Sequence, residues 1–212
     1  MRLAIIGAAE LGKLIASHAK NDSGYDIIGY YDDFNTSETF NTYPVLGKSD
    51  SVLNDYKAGK FDALMVGIGY SHMKARADIF NRFKGSVPFA NVIHSSAYVD
   101  PTCKLGEGIF ILPGVVLDLE VELADNVLLN TATKIAHHSK IGKHSFIAPG
   151  VTIAGLVNVG EKCFIGVGAI LKDCLIIANS SIIGGGALVL KDTEENSVSV
   201  GSPAKIIKYQ NS

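Results

Sequence analysis

Ile147-Ala148-Pro149-Gly150-Val151-Thr152-Ile153-Ala154-Gly155-Leu156-Val157-Asn158-Val159 sets a large aliphatic residue at every sixth position. The beat runs on in both directions. From Ile93, Val99, Leu105 and Ile111 at one end to Leu171, Ile177, Ile183 and Val189 at the other, seventeen successive sixth positions are Ile, Leu or Val. Four residues after most of them stands a small or β-branched side chain, as at Val115, Val121, Thr133, Ser139, Ser145, Val151, Cys163 and Ala169. Helices and strands repeat at about 3.6 and 2 residues, so neither generates this phase. A period of six predicts a β-solenoid of hexapeptides. Each hexad supplies a short strand and a corner, and three hexads close a triangular coil of eighteen residues. Coils stack through hydrogen bonds between neighbours, so residues eighteen apart are expected one above another.

On this repeat the chain resembles the hexapeptide acyltransferase superfamily. The resemblance implies coils wound left-handed and a homotrimer with active sites between subunits.

The bulk composition narrows the partners. The 212 residues carry a formal charge of -2 with acids and bases mixed, so no basic face points to nucleic acid or to an anionic membrane. No apolar run is long enough for a spanning helix, and Leu3 to Ile6 reads as a first strand. Three cysteines without close pairing suit a reducing cytoplasm. Cys103 and Cys163 fall in inward slots of the repeat and read as packing; Cys174 falls at a corner.

Residues 1–90 alternate strand-like and helix-like patterns, which predicts a small α/β domain with a parallel, Rossmann-like sheet, followed by the prism over 91–212. Arg2 to Ile6, Asp26 to Tyr31 and Asp62 to Ile68 read as strands. Helices are expected from Glu10, near Ser51 to Lys57, and from Met73 to a stop at Gly85. Tyr43-Pro44-Val45-Leu46-Gly47 reads as the lead into the second helix. Gly7-Ala8-Ala9-Glu10-Leu11-Gly12 is the first strand-to-helix turn, where amides at a helix start can hold a phosphate. As a dinucleotide fingerprint it is weak, because Ala9 stands at the middle glycine of GxGxxG. Asp32 and Asp33 end the second strand, where such folds meet ribose or base. With Gly7, Ala8, Gly67 and Gly69 at the same sheet edge they are the candidate substrate-binding residues. His72 follows the third strand's end and is a further candidate, whereas His18 and His94 read as structural.

This order, a Gly-rich first turn, a strand ending Asp32-Asp33, Pro44-Val45-Leu46-Gly47 and then an uninterrupted prism, resembles the sugar acetyltransferases of the bacillosamine and sialic acid O-acetylation type over nearly the whole chain. The resemblance implies a nucleotide-linked aminosugar in the small domain and acetyl-CoA on the prism. Glu10 and Leu11 depart from the family's first turn, which commonly carries a glycine and then a histidine.

Polar residues of the prism concentrate between Asn130 and His144, where three of the six histidines lie. His137 and His138 fall at a corner. Acetyl transfer to an amine needs a base that works near neutral pH, which suits imidazole, and a donor for the oxyanion of the tetrahedral intermediate. Eighteen residues past His137 is Gly155, whose missing side chain leaves its amide approachable. By resemblance His137 matches the family's base, Gly155 its oxyanion amide and Asn130 its substrate-contacting asparagine. The family's acid after the base is His138 here, and its second histidine, nine residues after the base and near the acetyl group, is Phe146 here, which with Gly155 is by resemblance a candidate contact of acetyl-CoA. Glu120, one coil before His138, is the acid nearest on the eighteen-residue ruler.

Val167, Gly168, Gly185 and Ala187 lie in Gly-rich corners that match segments lining the pantetheine arm. The tail Gly201-Ser202-Pro203-Ala204-Lys205 matches a Gly-x-Pro-Ala-Lys segment at the end of many CoA-binding prisms. The resulting expectation is an N-acetyltransferase moving acetyl from acetyl-CoA to the 4-amino group of a nucleotide-linked 4-amino-4,6-dideoxysugar, with no metal. A sugar O-acetyltransferase uses the same machinery. A zinc hydratase would enlist His137 or His138 with His144 and a neighbouring subunit's histidine, and a non-catalytic nucleotide-sugar scaffold is the remaining alternative.

Overall fold

A computed structural model describes residues 1–210, which separate into two compact units meeting at Ser95 and Ser96. The first unit extends past residue 90 because its helix C-terminus holds the following segment. Tyr25 donates its hydroxyl to the Asn91 carbonyl at 3.0 Å, and the Asp22 carboxylate accepts the Ser95 N–H at 2.7 Å.

The first unit is an α/β layer. Strand β1 (Arg2–Ile6) lies at the centre, parallel to β2 (Asp26–Tyr31) on one side and to β5 (Ala63–Val66) on the other. Its α1 (Glu10–Asn21), α2 (Val52–Lys57) and α3 (Met73–Phe83) fall where the sequence pattern sets them. All four residues of β5 are buried, as a sheet covered on both faces requires. Tyr31, Phe61, Leu64, Val66, Phe80 and Phe83 form its core.

One element differs from expectation. Tyr43–Gly47 is a strand of its own, β4, paired parallel to β2 on one side and antiparallel to the two-residue β3 (Thr39–Phe40) on the other. Pro44 has no N–H to give a ladder, so the stretch reads as a connector. Gly29 makes the pairing possible: a Cβ there would sit 2.4 Å from the Pro44 carbonyl oxygen.

In the second unit each hexad ends in a two-residue strand whose second residue points inward. Leu117, Leu129, Ile147, Ile165, Ile177 and Ile183 have no exposed surface, and burying each contributes roughly 1.5–3 kcal/mol. Strands pair with the hexad three further on, Val116 with Lys134, Leu128 with Phe146, Lys140 with Asn158, so the eighteen-residue ruler holds on all three faces. Where the second slot is polar, its side-chain atom reaches the backbone of the next coil. Thr133 Oγ1 donates to the Ala148 carbonyl at 3.2 Å, Ser139 Oγ to Ala154 at 2.9 Å and Ser145 Oγ to Gly160 at 2.8 Å. Cys163 Sγ does the same with Ala178 at 3.1 Å, and burial pushes its thiol up to about 11. The chain ends with Ser197–Val200 continuing one face and Lys205–Tyr209 antiparallel to it.

One column of corners carries a feature that no glycine announces. The second residue of most turns has positive φ, and in one column these are Glu120 (56°), His138 (60°), Leu156 (61°) and Cys174 (59°). A left-handed non-glycine residue costs about 1–2 kcal/mol. Ladder bonds between coils offset it, His138 N–H to Leu119 O at 2.8 Å and Leu156 N–H to His137 O at 3.0 Å.

Candidate active site and nucleotide cavity

The first unit holds a cavity of about 570 Å³ at the carboxyl edge of its sheet, lined by the turns after β1, β2 and β5. All six candidate residues line it: Gly7, Ala8, Asp32, Asp33, Gly67 and Gly69. The glycines explain why the turns approach so closely. Gly7 has φ +114°, and a Cβ on it would lie 2.9 Å from the Gly67 carbonyl carbon; one on Gly12 would lie 2.0 Å from the Gly7 oxygen. Only bare backbone lets β1, β5 and the start of α1 meet here.

The two aspartates are already engaged. Asp32 Oδ2 accepts the Ala8 N–H at 2.7 Å, and Oδ1 accepts the Phe34 and Asn35 N–H groups, each at 2.8 Å. Burial pushes this carboxyl up, but the three backbone donors together outweigh it and its pKa falls below the ordinary value. Asp33 holds the Ser49 N–H at 2.8 Å and its hydroxyl at 2.9 Å, fixing the turn before α2. Both shape the cavity through the backbone they organise. His72 also lines it.

Sequence reading missed Arg76. It lies on the buried face of α3 beside Ala77 and Phe80, 1 % exposed, and its Nη1 donates to the carbonyls of Val66 at 3.0 Å and Ile68 at 3.2 Å. Burial pulls its pKa down to about 10. The guanidinium thereby pins the Gly67-Ile68-Gly69 wall from behind. A charge amid the helix's apolar positions was the available signal.

In the second unit, His137 and Gly155 meet at one corner. A Cβ on Gly155 would lie 2.7 Å from His137 Cε1 and 2.8 Å from Nε2. The Gly155 N–H bonds to no other described residue, while its carbonyl accepts the Cys174 N–H at 3.0 Å. His137 Nδ1 lies 3.1 Å from His138 Nδ1, with the rings at 84°. His138 Nε2 lies 3.4 Å from Glu120 Oε2. In the tautomer whose Nε2–H points to Glu120, His138 presents a bare Nδ1, which can accept a hydrogen bond from the Nδ1–H of His137. That leaves the lone pair of His137 on Nε2, beside Gly155.

Asn130 caps the corner before, its side-chain oxygen accepting the Thr131 N–H at 2.8 Å. Val167 is exposed, Gly168 (φ +65°) opens onto free space, and Gly185 stacks above Val167 on another corner of the prism. Pro203, after a cis peptide, and Lys205 lie exposed at the final turn. Two candidates differ from expectation. Ala187 is an inward slot with no exposed surface, and both its N–H and its carbonyl are engaged, with Gly184 and Ile170, so it offers a ligand nothing. Phe146 is 6 % exposed and packs its ring on Phe164 at 5.9 Å.

Among the described residues no three His, Cys, Asp or Glu side chains are placed to hold a metal ion. His144, which a hydratase would need, is buried on a separate corner column with Nδ1 3.1 Å from Asn126 Nδ2. No helix among the described residues is long and apolar enough to cross a membrane.

Comparison with known proteins follows the same division. Residues 2–83 match the PglD N-terminal domain family. The perosamine N-acetyltransferase PerB of Caulobacter crescentus, solved with CoA and GDP-perosamine, superposes with a TM-score of 0.90 at 26 % identity, covering 98 % of each chain. The acetyltransferase domain of PglB from Neisseria gonorrhoeae, solved with acetyl coenzyme A, gives 0.88 at 27 % identity over 97 % of this chain and 98 % of that one. The UDP-3-O-acylglucosamine N-acyltransferase of Bordetella pertussis is 40 % identical over 67 residues, which is 32 % of this chain and 18 % of that enzyme's length. The chain thus spans less than a fifth of this curated relative. It resembles the hexapeptide-repeat sugar acetyltransferases in fold, with a PglD-type N-terminal domain leading into a left-handed parallel β-helix.

Proposed function

We propose that the chain is an acetyl-CoA-dependent N-acetyltransferase for the 4-amino group of a nucleotide-linked 4-amino-4,6-dideoxysugar. The observation that carries this reading is the contact of the His137 imidazole with the bare backbone of Gly155 at one prism corner. PerB, which matches along almost the whole chain, binds CoA and GDP-perosamine and supports the same substrate classes here.

The acceptor amine attacks the thioester carbonyl carbon while His137 Nε2 takes a proton from the nitrogen. The carbonyl electrons move to oxygen, and the Gly155 N–H steadies that charge. Collapse restores the carbonyl, breaks the C–S bond and releases the CoA thiolate, to which His137 returns the proton. Glu120 and His138 keep the His137 tautomer with its lone pair on Nε2. Transfer is direct, in a ternary complex without an acyl-enzyme. Val167, Gly168 and Gly185 border the pantetheine arm, and Pro203 and Lys205 approach the nucleotide end of CoA. By resemblance to the hexapeptide acyltransferases the site forms between neighbouring subunits of a homotrimer, which suits the glycine-rich corner and the histidine corner being different edges of one prism.

Thiol release from acetyl-CoA tests the reading directly, with UDP-, dTDP- and GDP-linked 4-amino-4,6-dideoxysugars offered beside their 4-hydroxyl counterparts. Turnover with an aminosugar and none with its hydroxyl counterpart is expected. Turnover on the hydroxyl sugars alone would make it an O-acetyltransferase, and none on any acceptor would reject both.

A further inference from the structure

We infer that Phe34 is the platform on which the nucleobase of the acceptor stacks, at the mouth of the first unit's cavity. The assignment rests on reading that cavity as a nucleotide site. Phe34 is 94 % exposed, the most exposed of the large apolar side chains among the described residues, yet it lines the cavity together with Gly7, Ala8, Asp32 and Gly69. Its backbone is held: the N–H donates to Asp32 Oδ1 at 2.8 Å, and the other oxygen of that carboxylate accepts the Ala8 N–H at 2.7 Å. One side chain therefore ties the aromatic to the turn at the start of α1.

The lining offers two kinds of chemistry. The turn presents backbone amides, which suit a pyrophosphate. The same lining includes one flat, solvated π-face, that of Phe34, and the apolar side chains of Ile68, Ala75 and Ile79. Pyrophosphate and sugar have no π-face to lay against a phenyl ring; a nucleobase does. Stacking tolerates any base, so Phe34 strengthens binding without choosing among purines and pyrimidines. Selection among bases then falls to polar groups. Asp32 Oδ2, with a single N–H partner, retains one acceptor position.

The chain contains no tryptophan, so Phe34→Trp would carry its only indole. Its fluorescence, titrated with GDP, UDP, dTDP and inorganic pyrophosphate, reads stacking without any acetyl transfer. Saturable quenching by at least one nucleoside diphosphate and none by pyrophosphate is expected. Phe34→Ala should weaken that nucleotide's Kd about tenfold or more, the scale of a lost base–aromatic stack, while Phe34→Tyr retains it and the KM for acetyl-CoA stays put. Equal nucleotide affinity in wild type and Phe34→Ala, or an indole that no nucleotide quenches in a protein that still turns over, overturns the assignment and leaves the acetyltransferase intact. Quenching by a nucleotide without acetyl transfer to any aminosugar upholds Phe34 and removes the reaction instead.

Discussion

The ring of His137 lies so close to Gly155 that a Cβ on the glycine would stand 2.8 Å from Nε2, the atom assigned to take the proton. Gly155 has no positive φ, so alanine there is compatible with the backbone and its only offence is against the imidazole. Gly155→Ala is therefore expected to lower kcat by about 10²-fold, the scale of a misplaced base, with Tm within about 2 °C of wild type. Stopped-time assays with thermal melts check both, and an unchanged kcat would show that the ring's position is immaterial.

The Glu120–His138–His137 series makes a graded prediction. His138→Ala and Glu120→Gln leave Nε2 of His137 in place but remove what fixes its tautomer, so each should cost roughly tenfold in kcat, well short of the loss expected for the base itself. Because Glu120 acts through His138, the double variant should lose little more than the worse single one. A double-variant loss equal to the product of the two would show that the residues act separately.

Asp32 links the cavity to acid stability. Its folded pKa is depressed, so its contribution is fully present above the unfolded value near 3.8 and is lost as pH falls through the folded one. Asp32→Asn keeps the shape but removes the charge and leaves one acceptor oxygen, so its Nδ2 cannot accept from either the Ala8 N–H or the Phe34 and Asn35 N–H groups. The variant should melt lower than wild type at pH 7, and the gap should close as the pH drops below about 4. A gap that stays constant from pH 7 to pH 3 would contradict the charge-based account.

Gly12→Ala probes how tightly the first unit's turns pack. A Cβ there meets the Gly7 carbonyl oxygen at 2.0 Å, and backbone on both sides must move. A loss of about 3 kcal/mol or more is expected in urea titration, accompanied by weaker nucleotide binding. Stability within 1 kcal/mol of wild type would mean that the helix and strand separate without cost.

The prism was legible because each of its faces repeats one demand, a large aliphatic pointing inward, and that demand recurs at a fixed interval from Ile93 to Val189. The same interval carried two pairings at the candidate site: it set Gly155 over His137 and Glu120 under His138 before any side chain was placed. What the period does not encode stayed hidden. The left-handed corners at Glu120, His138, Leu156 and Cys174 carry no glycine, since ladder bonds rather than residue type sustain them. Tyr43–Gly47 was obscured by Pro44, and the glycine that admits it, Gly29, lies fourteen residues before Tyr43 on another strand. Ala187 looked like part of a glycine-rich edge, yet it occupies the inward slot that the repeat reserves for small residues. Arg76 and Phe34 escaped for opposite reasons. One is a charge that burial made structural, the other an aromatic that the turn left in water.

The most direct measurement is the kcat of His137→Ala with acetyl-CoA and an accepted nucleotide-linked aminosugar, alongside circular dichroism of the same protein. A fall of at least ~10²-fold with an unchanged spectrum is the expected result. Activity within about threefold of wild type would contradict the assignment of His137 as the base, and with it the proposal that this corner of the prism is where the acetyl group moves.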